Sequence, residues 1–130
     1  MLVLAAGSML HTSPIEMLEL AAATGFDGVG FRLSHGRMPS TDELERIGKR
    51  ADDLGIQVHD IEVHRVGEGT DAKPLIEACV MLRAPFLLAV SDLDDESATI
   101  DILGALSVEA ATSGVAVGLE YMAWTTPNAA

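Results

Sequence analysis

The 130-residue sequence is short of cysteine, aromatic residues and basic residues, and each shortage excludes something. Cys79 is the single cysteine, so no internal disulfide can form. It lies at helical spacing from Leu75, Ile76 and Leu82, which marks it as a buried structural thiol suited to a reducing cytoplasm. Aromatics make up 4%, so the core must be built from aliphatic side chains; the hydrophobic fraction of 48% is enough for one such core. Eight Lys and Arg stand against 20 Asp and Glu, a formal net charge of -12. That surface repels phosphate backbones, and nucleic acid is not an expected partner. No apolar run approaches the roughly 20 residues that a membrane-spanning helix needs. The apolar N-terminus, MLVLAAGSML, has no basic flank and leads straight into a helix cap, so it reads as a strand and not a signal peptide. No HxH, HExxH, GxGxxG or GxxxxGK[ST] motif occurs, and no serine has a nucleophile-elbow context. Gly67-Glu68-Gly69 is read as a turn.

What the sequence does contain is a period of supersecondary structure. Four helical stretches end at Gly25, Gly55, Ala84 and Gly114, at intervals of 30, 29 and 30 residues. Each junction precedes a short β-prone run: FDGVGFRL, IQVHDIEV, PFLLAV and VAVGLEYM. Glycine just past a helix end adopts the left-handed conformation without steric cost. Helix starts are marked too. Ser13-Pro14-Ile15-Glu16 and Ser40 with Glu43 are capping boxes; Asp71 opens a third helix, and Asp94 or Asp95 a fourth. Apolar residues keep helical spacing between these marks: Ile15, Leu18, Ala22; Leu44, Ile47, Ala51, Leu54; Ile100, Leu103, Leu106, Ala110. The predicted order is β1 (2–8), α1 (14–24), β2 (27–33), α2 (41–54), β3 (56–63), α3 (72–83), β4 (86–91), α4 (96–113) and β5 (115–121).

Alternating strands and helices imply an α/β protein with a parallel sheet. Two architectures share this pattern: a five-stranded flavodoxin-like sheet and a TIM-type (β/α)8 barrel of about 250 residues. Length favours the first. Three features favour the second. The sequence ends shortly after β5 without a fifth helix. The β1 end reads Ala5-Ala6-Gly7-Ser8 and not as an acidic cluster. Polar side chains also gather on one face toward the strand ends. The expected architecture is an incomplete parallel (β/α) barrel, four βα units plus strand 5, with residues 1–130 forming a single partial domain.

Strand alternation assigns Gly28, Gly30 and Arg32 of β2 to the inner face, opposite Val29, Phe31 and Leu33. In β3 it groups Val58, Asp60, Glu62 and His64 against His59, Ile61 and Val63. In β4 it sets Leu87, Ala89 and Ser91 inward, and in β5 Ala116, Gly118 and Glu120. Small residues low and polar residues high suit a barrel whose site lies at the C-terminal mouth. Interior charges are costly unless paired or bound to a ligand. Arg32 and Glu62 therefore form a salt-bridge network or face a ligand; Glu120, following Gly118, points to function. His11 and His35 fall in loops on the mouth side, His59 is expected to pack outward against a helix, and His64 to line the mouth.

The segments AAATGFDGVGFRL, LGIQVHDIEVHRV and SGVAVGLEYMAWT, in this order, resemble the xylose isomerase-like barrel superfamily, of the sugar-phosphate isomerase/epimerase type. The likeness spans essentially all 130 residues, as the N-terminal half of a member, and is most specific around Leu119-Glu120-Tyr121-Met122. It implies a divalent metal (Mn, Mg, Co or Zn) held by four side chains of the second half-barrel, starting with a glutamate at the end of β5, which Glu120 matches. The remaining ligands have no counterpart in these 130 residues, so this chain is not expected to bind metal tightly. The resemblance further implies a sugar, sugar-phosphate or cyclitol substrate, isomerised or epimerised by proton transfer next to a carbonyl. Glu120 would serve as metal ligand and catalytic acid/base, with Arg32, Glu62 and His64 on the substrate side. The alternative is a non-catalytic half-barrel that binds a small polyol or assembles with a partner subunit, including self-association through its open edges. An endonuclease-like member is disfavoured by the charge and by the lack of a histidine-rich metal cluster.

Overall fold

A computed structural model describes residues 1–33, 38–67 and 69–121. Five strands, β1 (Val3–Leu4), β2 (Gly28–Arg32), β3 (Gln57–Val66), β4 (Phe86–Ser91) and β5 (Ala116–Leu119), alternate with four helices, α1 (Pro14–Thr24), α2 (Thr41–Leu54), α3 (Lys73–Leu82) and α4 (Glu96–Ala111). The strands are all parallel, in the order β1-β2-β3-β4-β5. A flavodoxin-like sheet would place β1 inside the sheet, next to β3; here β1 is an edge, and the sheet is that of a half-barrel.

Local chemistry explains the helix limits. At the start of α1, Ser13 Oγ accepts from the Glu16 amide while the Glu16 carboxylate accepts from the Ser13 amide. Ser40 and Glu43 repeat this at α2. Asp95 caps α4 by accepting from the Ser97 and Ala98 amides. Gly25 (φ 81°) and Gly55 (φ 68°) end α1 and α2 in the left-handed region, as the junctions predict. The third junction differs: the left-handed residue is Arg83 (φ 55°), one position before the expected Ala84. The Arg83 guanidinium forms an ion pair with Asp52 of α2. Between β1 and α1 the expected strand 2–8 gives way after Leu4 to a 3-10 turn, Ala6–Ser8.

The core lies between the helices and the convex face of the sheet. Leu18 and Ala21 of α1, Phe31, Ile61, Leu75, Cys79 and Leu87 are all fully buried there. Each such leucine or phenylalanine contributes about 1.5–3 kcal/mol relative to an exposed side chain. In α4 the inward positions are Thr99, Leu106 and Ala110, and Ile100 is exposed, contrary to its place in the apolar spacing.

The main departure from simple alternation is in β3. Val29 pairs with Val58 but Gly30 with Asp60, so His59 is an extra residue. Ile61 pairs with Leu87 but His64 with Ala89, so Glu62 and Val63 stand against Leu88 alone. Each extra residue flips the facing of the strand residues beyond it. Val58 therefore joins Val29 on the helix side, where it is buried. His64 joins Ile61, Leu87 and Ala89 on that same side and is 2% exposed. In β4 the assignment reverses: Leu87, Ala89 and Ser91 are buried under the helices, and the Ser91 hydroxyl hydrogen-bonds Thr99 of α4 at 2.9 Å. Phe86 and Leu88 take the concave face.

Cys79 is buried in α3 with its Sγ directed at the Phe86 carbonyl (3.7 Å). Burial pushes its thiol pKa up to about 12, with the Asp60 charge adding to the shift. Thiolate is the reactive form. The folded chain is expected to leave Cys79 unmodified by iodoacetamide at pH 8 and to release it for alkylation only in denaturant; mass spectrometry of the two samples checks this.

Candidate functional site

The concave face is assembled by the strands in register. Arg32, the last residue of β2, stands beside Glu62 of β3. One pleat lower, Gly30 stands beside Asp60. A Cβ on Gly30 would overlap the Asp60 carboxylate, 2.9 Å from its Cγ, so the glycine makes room for that acid. On β5, a Cβ on Gly118 would lie 3.0 Å from Leu88 Cδ2, on the same face. Two residues further, the Glu120 amide donates to the Ala89 carbonyl at 2.8 Å, extending the ladder past Leu119 and keeping Glu120 on the face of Gly118. Arg65 and Asp92, near the ends of β3 and β4, close the mouth side with a two-pronged ion pair, both N–O distances 2.6 Å.

Three carboxylates share this face: Asp60, Glu62 and Glu120. Burial raises the Glu62 pKa above the ordinary carboxylate value. Arg32 opposes the shift, and the Glu120 and Asp60 charges add to it, so all four groups lie within electrostatic reach. Glu62 Oε1 is buried and has no hydrogen-bond partner among the described residues. Of the two alternatives for Arg32 and Glu62, the direct salt bridge is not made: among the described residues no ion pair within 4.0 Å joins them. Arg32 is exposed.

The register shifts correct two histidine placements. His64 was expected at the mouth; its side chain is buried on the helix side, opposite Glu62, because Val63 is inserted between them. His59 was expected against a helix. Instead its ring lies 5.2 Å from that of Phe86, and its Nδ1 is 3.2 Å from Asp60 Oδ1. The group His59, Asp60 and Phe86 escaped sequence reasoning because an inserted residue in a strand leaves no periodic signal. His11 is exposed; His35 lies outside the described residues, as does Met122 of the β5 segment.

Among the described residues no three His, Cys, Asp or Glu side chains come together as a metal-binding group. Glu120 is a single hard oxygen donor there, and the stretch does not by itself fit the divalent metal that the resemblance implies. A cleft of about 340 Å³ lined by Gly55, Ile56, Leu82 and Arg83 opens at the N-terminal strand ends, away from the carboxylates. No helix among the described residues is long and apolar enough to cross a membrane.

Fold and face together define half of a parallel TIM-type barrel, with its polar groups on the concave side. No family model matches the chain, and no curated protein matches it. Solved structures do. A xylose isomerase-like TIM barrel/4-hydroxyphenylpyruvate dioxygenase fusion protein matches 95% of this chain with 22% of its own, at 26% identity and a TM-score of 0.73. The IolI protein, solved with a binding zinc atom, matches 93% of the chain with 51% of its own, at 20% identity and a TM-score of 0.73. D-psicose 3-epimerase, solved in the presence of D-fructose, matches 97% with 54% of its own, at 15% identity and a TM-score of 0.76. The chain thus spans about half the length of the IolI and epimerase chains and less of the fusion protein.

The raised pKa of Glu62 makes a pH prediction. The folded state holds this proton more tightly than the unfolded state. Stability from this group is therefore greatest at low pH and falls as pH rises from the ordinary carboxylate value through the folded value. Glu62→Gln is expected to be more stable than the wild type at pH 7, with the difference disappearing below pH of about 4. Urea midpoints of the two proteins across that range check it.

Proposed function

We propose that residues 1–130 form a single partial domain, the N-terminal half of a xylose isomerase-like barrel, and that the native protein is a metal-dependent isomerase or epimerase of a sugar, sugar phosphate or cyclitol. The observation that carries this reading is Glu120: it extends β5 on the concave face, and its charge reaches Glu62 across the sheet. In this reading Glu120 is both the metal-side carboxylate and the group that takes or returns the proton next to the substrate carbonyl. Bound metal would polarise that carbonyl. Arg32 and Glu62 contact substrate hydroxyl or carbonyl oxygens. His64, buried behind the sheet, is left out of ligand contact. The single buried thiol suits a cytoplasmic location.

In the native protein as its gene encodes it, Glu120→Gln is expected to weaken Mn²⁺ or Zn²⁺ binding by more than about tenfold and to abolish turnover, because the amide neither neutralises the cation nor accepts a proton. Calorimetric titration with the metal alone reads the first effect. Unchanged affinity in the variant would remove Glu120 from the metal side.

A second reading is a non-catalytic half-barrel that binds a small polyol or assembles with a partner. The outer edges of β1 and β5 support it, being unpaired among the described residues. On this reading the 130-residue chain self-associates at micromolar concentration; a clean monomer by light scattering counts against it.

A further inference from the structure

Two complementary groups lie side by side on the concave face without bonding each other. Glu62 Oε1 is buried and lacks a hydrogen-bond donor. Arg32, its register neighbour, is exposed, at the mouth end of β2, and makes no ion pair among the described residues. A buried acceptor without a donor is costly, so its partner is expected to come from outside the described residues, and on this open face a ligand can supply it. The guanidinium needs acceptors, and its planar fork suits a carboxylate best. The other basic residue described on this rim, Arg65, is already engaged by both oxygens of Asp92. Arg32 is left as the cation available there among the described residues. Below it, the space over Gly30 is filled by the Asp60 carboxylate, so the ligand sits at the level of Arg32 and Glu62 and not deeper.

We infer that the Arg32–Glu62 pair binds a hydroxy acid, the ligand hydroxyl donating to Glu62 Oε1 and its carboxylate accepting from the Arg32 guanidinium. The substrate class is then a polyhydroxy carboxylate, and neutral sugars bind less well. This rests on the reading above that substrate occupies the concave face.

The test uses the native protein as its gene encodes it, with D-gluconate and D-glucitol as probes. Both are six-carbon polyols, and only the first has a carboxylate. Calorimetry is expected to show gluconate bound about tenfold more tightly than glucitol, the worth of one charge-assisted contact. Arg32→Gln should bring gluconate down to the level of glucitol. Glu62→Gln should weaken both. Arg50→Gln makes the same charge change on the outer ion pair with Glu19 and should leave the preference intact. Equal binding of the two probes, no binding of either, a preference that survives Arg32→Gln, or one that Arg50→Gln also removes would each overturn the inference. The metal titration separates this outcome from the preceding reading. Metal affinity that depends on Glu120 alongside no gluconate preference sinks the hydroxy-acid assignment alone, while metal affinity indifferent to Glu120→Gln sinks the isomerase reading whatever gluconate does.

Discussion

The helices of this chain can cover only the convex face of its parallel sheet. A parallel strand needs both faces covered, because each is a strip of side chains that would otherwise meet water. On the convex side the solution is aliphatic: Phe31, Ile61 and Leu87 pack under Leu18, Leu75 and Cys79. On the concave side no helix is available, and the chain changes its chemistry to suit. Gly28, Gly30, Ala116 and Gly118 keep that face shallow, and Arg32, Asp60, Glu62 and Glu120 make it polar. The candidate site is thus the face that the helices leave uncovered.

Placing charges there has consequences. Burial pushes Glu62 toward its neutral form, and the nearby Glu120 and Asp60 charges add to that shift. Arg32 relieves this only partly, since it stands beside Glu62 without closing an ion pair. Arg65 and Asp92 show what the same strands do when the geometry permits a fork: both oxygens are engaged and the charges cancel locally. The contrast between a satisfied pair and an unsatisfied one on neighbouring strands leaves Arg32 and Glu62 with bonding capacity unfilled among the described residues.

β3 shows why facing is harder to anticipate than element order. It carries one residue more than β2, at His59, and one more than β4, at Val63. The first brings His59 beside Asp60 and Phe86. The second turns His64 from the mouth to the core. Neither insertion disturbs the hydrophobic composition of the strand, and alternation counted along β3 alone therefore puts Val58 and His64 on the wrong side.

Element order, most helix limits and parallel topology were legible in the residues themselves, because each follows from local chemistry: the Ser13–Glu16 and Ser40–Glu43 boxes start helices, Gly25 and Gly55 end them, and the thirty-residue period leaves room for one crossover helix per strand. Arg32, Glu62 and Glu120 were legible as inner-face charges because β2 and β5 keep strict alternation, and because Glu62 precedes the second insertion. The facing of β4, the burial of His64, the His59–Asp60–Phe86 contact and the missing Arg32–Glu62 ion pair were decided only in three dimensions. They depend on which residue of one strand stands beside which residue of the next, and that register is set by packing between segments about thirty residues apart, which no local pattern encodes.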